Sequence, residues 1–139
     1  MNKPLILVVE DDTPVRNLIT TTLKAHDYCF LTAANGGSAI LEASSHNPDI
    51  ILLDLGLPDM DGVEVIHKVR TRSNLPIIVI SARSEDTDKI DVLDAGADDY
   101  LTKPFSVEEL LARLGMTQRR LAALQVGKVN TRQSLQTAN

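Results

Sequence analysis

Acids gather at the ends of two apolar runs. Leu5-Ile6-Leu7-Val8-Val9 leads into Glu10-Asp11-Asp12, and Ile50-Ile51-Leu52-Leu53 leads into Asp54. Continuous apolar runs of this length read as strands buried on both faces, so these carboxylates stand at the rim of a core. Acids placed there lose hydration, a cost that a cation can offset. A metal and phosphoryl site is the simplest chemistry that uses the arrangement. Mg2+ takes hard oxygen ligands such as those of Asp11 and Asp54, with Glu10 acting through water. An aspartate oxygen such as that of Asp54 can attack phosphorus to give an acyl phosphate. Two further runs end in polar residues of the right kind. Ser81 follows Ile77–Ile80 and offers a hydroxyl donor, and Lys103-Pro104 follows Tyr100-Leu101 and offers a cation. Catalysis of this type is mostly alignment and charge neutralisation.

These residues need a scaffold that brings strand ends together. Leu5–Val9, Ile50–Leu53 and Ile77–Ile80 predict central parallel strands, and Tyr28–Ala33 and Asp99–Leu101 predict edge strands. Between them Val15, Leu18, Ile19, Thr22 and Leu23 follow helical spacing, with Pro14 suited to a first turn. Further helices are expected at about Gly37–Ser45, Gly62–Arg70, Asp86–Ala95 and Ser106–Leu124, the last opened by Ser106 as N-cap with Glu109 completing a capping box. Asp12 suits the N-cap of the first helix. Strict alternation of five strands and five helices implies an α/β fold: a doubly wound five-stranded parallel sheet with right-handed crossovers. In the order 2-1-3-4-5 the first and third strands flank the reversal point, where such sheets bind ligands. Those are the two strands that end in acids.

Composition sets the limits. A chain of 139 residues suits one domain that needs no disulfide. The lone Cys29 and the lack of a leader resembling a signal peptide fit a reducing cytoplasm, and no apolar stretch approaches a membrane span. Arg113, Arg119, Arg120, Lys128 and Arg132 are the only charged residues in 110–139, so a body of net −10 underlies the chain's −5. An acidic body argues against direct binding of nucleic acid. Gly115 and Thr117-Gln118 weaken the helical signal, and residues 125–139, polar and without a periodic face, are expected to form a linker or disordered tail after a domain of residues 1–124. Asp59 and Asp61 read as turn residues around Gly62, and Gly36-Gly37 as a turn. His26, His46 and His67 read as scattered surface histidines, because a zinc site wants clustered ligands.

Glu10, Asp11, Asp54, Ser81, Tyr100 and Lys103-Pro104 together resemble the receiver domain of two-component response regulators, the CheY-like fold, over roughly residues 3–122. The resemblance implies that Asp54 accepts a phosphoryl group from a sensor histidine kinase. It implies that the Gly56 carbonyl joins Asp11 and Asp54 on Mg2+. Lys103 is implied to pair with Asp54 at rest and with the phosphoryl group afterwards, while Ser81 moves toward the phosphoryl oxygens. Tyr100 is then the rotameric reporter that swings into the space Ser81 leaves, a population shift between two arrangements. The chain is no enzyme beyond catalysing its own phosphorylation and dephosphorylation.

The segments around Leu53–Asp59, Ser81–Ile90 and Asp94–Tyr100 are similar to the OmpR/PhoB subfamily. That likeness implies a homodimer on phosphorylation through the fourth helix, fifth strand and fifth helix, with Lys89 facing Glu109 and Asp99 facing Arg113 across the interface. Gly115 stands where the subfamily usually has a basic residue. The subfamily also joins its receiver to a winged-helix DNA-binding domain, for which the residues past the fifth helix are too few. The chain by itself is therefore expected not to bind DNA specifically, as a truncated or a stand-alone receiver. Gly56 and Arg83 occupy positions that in the family influence the access of water to the acyl phosphate, and glycine there implies slow self-dephosphorylation.

Two other readings compete. A phosphatase-like hydrolase with an aspartyl nucleophile usually has a second Asp two residues on, where this chain has Gly56. A flavodoxin-like cofactor binder wants a glycine- or hydroxyl-rich loop after the first strand and aromatics to sandwich a ring. Here that loop is acidic, and the chain has no Trp, two Phe and two Tyr.

Overall fold

The computed structural model describes residues 4–83 and 86–138, the side chains of Asp86 and of 125–138 excepted. The chain divides into two compact units, Met1–Phe105 and Ser106–Asn139. In the first, strands β1 (Leu5–Val9), β2 (Cys29–Ala33), β3 (Ile50–Asp54), β4 (Ile77–Ser81) and β5 (Asp99–Thr102) alternate with helices α1 (Thr13–Ala25), α2 (Gly36–His46), α3 (Gly62–Arg70) and α4 (Asp86–Ala95). The second holds α5 (Val107–Ala138).

All strand pairs are parallel and the order is β2-β1-β3-β4-β5, as the sequence predicts. The three central strands read as unbroken apolar runs because helices cover both faces. Leu7, Val9, Ile51, Leu53, Ile77 and Val79 point to one face and pack with Ala39, Val65, Ile66 and Val92. On the other face stand Ile6, Val8, Ile50, Leu52, Ile78 and Ile80, all buried.

Three strands run one residue further than expected, β3 to Asp54, β4 to Ser81 and β5 to Thr102, and the first two of these residues are chemical. Asp54 pairs in register with Ile80, and Ser81 with Thr102, so each is the last residue of its strand and not the first of a loop. A residue locked in a ladder is held more firmly than one in a connection.

The helix starts follow local capping. Asp12 accepts from Val15 N at 3.1 Å and Asn35 from Ser38 N at 2.8 Å. Ser106 accepts from Glu109 N at 3.0 Å, the expected cap of α5. The backbone of α5 continues to Ala138 where the sequence suggests an end near Leu124. No proline interrupts 107–138 and Gly115 alone does not stop a helix. The linker expected at 125–139 lies where side chains, and Asn139 altogether, are outside the described residues. Ser84 and Glu85, part of the segment similar to the OmpR/PhoB subfamily, also lie outside them.

Candidate functional site

The β1–α1 loop and the end of β3 bring three carboxylates together. Ligand oxygens of Glu10, Asp11 and Asp54 all lie within 4.8 Å of one another. Glu10 and Asp54 are buried, at 1% and 8% exposure, and Asp11 is open to solvent. Buried acids at this spacing call for a positive partner. Lys103, carried just past β5, supplies one: its Nζ lies 2.8 Å from Glu10 Oε1 and 3.5 Å from Asp54 Oδ2. The pairing expected with Asp54 is therefore shared, and the shorter contact goes to Glu10.

The balance is visible in proton affinities. Burial, followed by the hydrogen bond with Asp54, raises the Glu10 carboxyl from 4.5 to about 7, against the pull of Lys103. Burial alone would lower the Lys103 ammonium, but Glu10 and Asp54 together outweigh it and raise its pKa. One lysine does not neutralise three carboxylates. All the donor atoms are hard oxygens, with one ligand exposed where an ion can reach it. This donor set fits Mg2+.

Backbone groups hold the cluster in place. Gly56 N–H donates to Asp54 Oδ1 at 3.2 Å and Asp12 N–H to Glu10 Oε2 at 3.3 Å. Arg16 Nη1 donates to the Glu10 carbonyl at 2.8 Å and so ties α1 to the acidic loop. Gly62 sits where an added Cβ would lie 2.7 Å from Leu55 Cα and 2.9 Å from the Asp54 carbonyl. Only glycine lets α3 start this close beneath the Asp54 turn. Gly62 N–H closes that turn on the Leu55 carbonyl at 3.0 Å.

The β4 side carries the remaining residues. Ser81 is buried and its Oγ accepts from Arg83 N at 3.1 Å. The Tyr100 hydroxyl donates to the Arg83 carbonyl, and Lys89 Nζ stands 5.8 Å above the Tyr100 ring. Ser81 and Tyr100 thus meet at a single residue, Arg83. Asp99 Oδ1 accepts from Tyr100 N at 2.8 Å. On α5, Glu109 and Arg113 form an i,i+4 pair at 3.9 Å.

Several contributors escaped the sequence reading. Asp59, expected to do no more than turn, bonds across to α2: Oδ1 accepts from Gly36 N at 2.8 Å and Oδ2 from Gly37 N at 2.9 Å. Those two amides lower its pKa. Asp61 caps α3 through Val63 N at 3.0 Å and pairs with Arg83 Nη2, also at 3.0 Å. Arg70, at the far end of α3, binds the Gly96, Ser73 and Leu75 carbonyls and Asp98 Oδ2. The Asp and Gly types were visible, but contacts 21 to 28 residues apart leave no periodic signal. The three histidines are exposed, as the sequence suggests, with His46 paired to Glu42 at 3.0 Å.

The model of the response regulator receiver domain family matches residues 6–115. The KDP operon transcriptional regulatory protein KdpE of Escherichia coli is 49% identical over 118 residues, which cover 85% of this chain and 52% of that protein. The chain spans about half the length of the curated relatives it matches. Among solved structures, the Francisella response regulator 1452 receiver domain superposes with a TM-score of 0.82 at 33% identity, covering 86% of this chain and 99% of that one. The receiver domain of the Pseudomonas aeruginosa sensor histidine kinase PA1611, solved with a magnesium ion coordinated in its active site cleft, does so with 0.75 at 33% identity, over 81% and 94%.

Proposed function

Because this chain belongs to the response regulator receiver domain family, we propose that it is the phosphoacceptor segment of a KdpE-type transcriptional regulator, taking its phosphoryl group from a sensor histidine kinase onto Asp54. The observation that carries the reading is the site itself: Asp54 ends its strand in a cluster with Glu10 and Asp11, and Lys103 faces that cluster.

An Asp54 oxygen attacks phosphorus as the P–N bond of the donor phosphohistidine breaks, and the electron pair leaves on the imidazole. Asp11, Asp54 and the Gly56 carbonyl would hold Mg2+, and Glu10 would act through water. When bound, the ion neutralises the acids and the charge that develops on the phosphoryl oxygens. Lys103 lies close enough to exchange an acid for a phosphoryl oxygen, and Ser81 offers its hydroxyl to another. Beyond this turnover of its own phosphoryl group the chain is not an enzyme. No helix among the described residues is long and apolar enough to cross a membrane, and the setting of such a regulator is the cytoplasm.

Output follows from the Arg83 junction. When Ser81 turns toward the phosphoryl group, the β4–α4 loop and Tyr100 adjust with it. The α4, β5 and α5 surfaces then present Lys89 and Asp99 to Glu109 and Arg113 of a second copy. DNA is contacted by the winged-helix part that the subfamily carries, and residues past 124 are the connection to it.

Intact mass after incubation with acetyl phosphate and Mg2+ tests this, with gel filtration on the same samples. A single phosphoryl adduct that requires Mg2+ and disappears in Asp54→Asn is expected, together with a shift to dimer. A folded, Mg2+-binding chain that takes no adduct would overturn the reading.

A further inference from the structure

Ala39 of α2, Val65 and Val69 of α3 and Val92 of α4 pack into one core, so these three helices cover the same face of the sheet. Their outer sides carry two surfaces of opposite character. Between α2 and α3 runs a groove of about 670 Å³, large enough to receive several side chains. Its walls are apolar, with Ile40, Leu41 and Ala43 on one side and Val69 and Leu75 on the other, and Leu41 is 63% exposed. Lys68 and Arg72 also line it, and among the described residues no acid does. Both cations are exposed, and among the described residues neither side chain has a hydrogen bond or an ion pair. The groove is thus a basic, apolar recess on an acidic body. The α4 helix presents the complement. Ile90, Asp91, Leu93 and Asp94 are exposed, and helical spacing puts them on the side away from the buried Val92. Two large apolar side chains flanked by carboxylates form an amphipathic strip of the kind that docks in helix grooves.

We propose that α4 of a second copy docks in the α2–α3 groove, with Ile90 and Leu93 against its apolar walls and Asp91 and Asp94 toward Lys68 and Arg72. Contact removes Leu41, Ile90 and Leu93 from water, and the opposite charges fix register and orientation. Because groove and helix lie on one face, two copies meeting face to face can make the contact twice, the symmetric closure that homo-oligomers favour. The patch is small, so the association is weak. The α4 helix also carries Lys89 of the proposed phosphorylated dimer surface, so a copy docked this way is withheld from that dimer. The contact then belongs to the resting chain, and that consequence alone rests on the proposed function.

Sedimentation equilibrium of the full chain, without a phosphoryl donor, tests this at roughly 0.05 to 1 mM, a range suited to small interfaces. The parent should associate, and less so at high salt. Lys68→Glu/Arg72→Glu reverses the groove and Asp91→Lys/Asp94→Lys reverses the helix. Each variant alone should weaken association by about tenfold in dissociation constant. The two mixed should regain it, because the reversed helix fits the reversed groove. Leu41→Ser should weaken it through the apolar wall. All five residues are exposed, and thermal unfolding checks that each variant keeps the fold. A parent that stays monomeric, association that survives groove reversal, or a mixture no stronger than its components would overturn the proposal. So would a monomeric parent that instead binds an added amphipathic Glu/Leu helix of unrelated sequence through Lys68 and Arg72, which would pass the groove to another protein's acidic helix. None of these outcomes touches the phosphoacceptor reading of Asp54, which the phosphoryl adduct tests separately.

Discussion

Lys103 donates to Glu10 at 2.8 Å, closer than its 3.5 Å approach to Asp54. The lysine would therefore compete with a divalent ion for the same acids, and so would the proton that burial favours on Glu10, whose pKa it raises to about 7.

From this rivalry comes a pH dependence. Glu10 titrates in the folded chain at about 7, above its ordinary 4.5. A raised value means that the stability this group contributes is full below about pH 4.5 and is lost as pH rises through 7. The metal-free chain should lose stability across that window, and Mg2+ should restore it by replacing the proton. Thermal unfolding in EDTA and in Mg2+ between pH 5 and 8 checks both signs. Calorimetric Mg2+ affinity should rise with pH and level off near 7, and Glu10→Gln should flatten the rise.

Gly56→Asn is expected to fold and to shorten the phosphoryl lifetime. An added Cβ there meets nothing nearer than Asp54 Oδ1 at 4.0 Å, so the side chain has room. Its amide could then orient the attacking water, which glycine does not. Hydrolysis of the adduct followed by mass gives the answer, and an unchanged half-life refutes it.

Arg70→Met should destabilise the fold by about 2–4 kcal/mol without touching the acidic cluster. It strips partners from the Gly96, Ser73 and Leu75 carbonyls, while Asp98 keeps its bond to Ile77 N. Arg70→Lys should recover only part, because an ammonium does not reproduce the guanidinium fork. Urea denaturation measures the loss, and Mg2+ affinity of the folded fraction should stay at the parent value.

Charge reversal tests the proposed dimer surface. Lys89→Glu should weaken the phosphorylation-dependent dimer, and mixing it with Glu109→Lys should restore a heterodimer. Exposed pairs set register more than strength, so a change of about fivefold in dissociation constant is expected. Sedimentation of the phosphorylated chains, singly and mixed, reads it directly.

The fold was legible because its signals are local and periodic. Unbroken apolar runs marked β1, β3 and β4, and caps such as Asp12 and Ser106 marked helix starts. The acidic cluster was legible for the same reason, since each of its members ends such a run. Asp59, Asp61 and Arg70 were not, because each acts through contacts with backbone groups or an ion partner that lie far away in the sequence. A turn aspartate that caps another helix has the same sequence appearance as one that caps nothing. The end of α5 was missed for a different reason: weak propensity lowers the helical signal gradually and provides no stop.

Asp59 gives the β3–α3 loop one side held by backbone groups, while its other side is held by an ion pair. Toward α2 the loop is fastened by two short bonds to backbone amides. Toward β4 it is joined side chain to side chain by an exposed ion pair. A disturbance at Asp54 therefore meets resistance in one direction and compliance in the other. The site is thus a plate fixed along its α2 edge, and its edge toward the β4–α4 loop carries an ion pair between side chains instead.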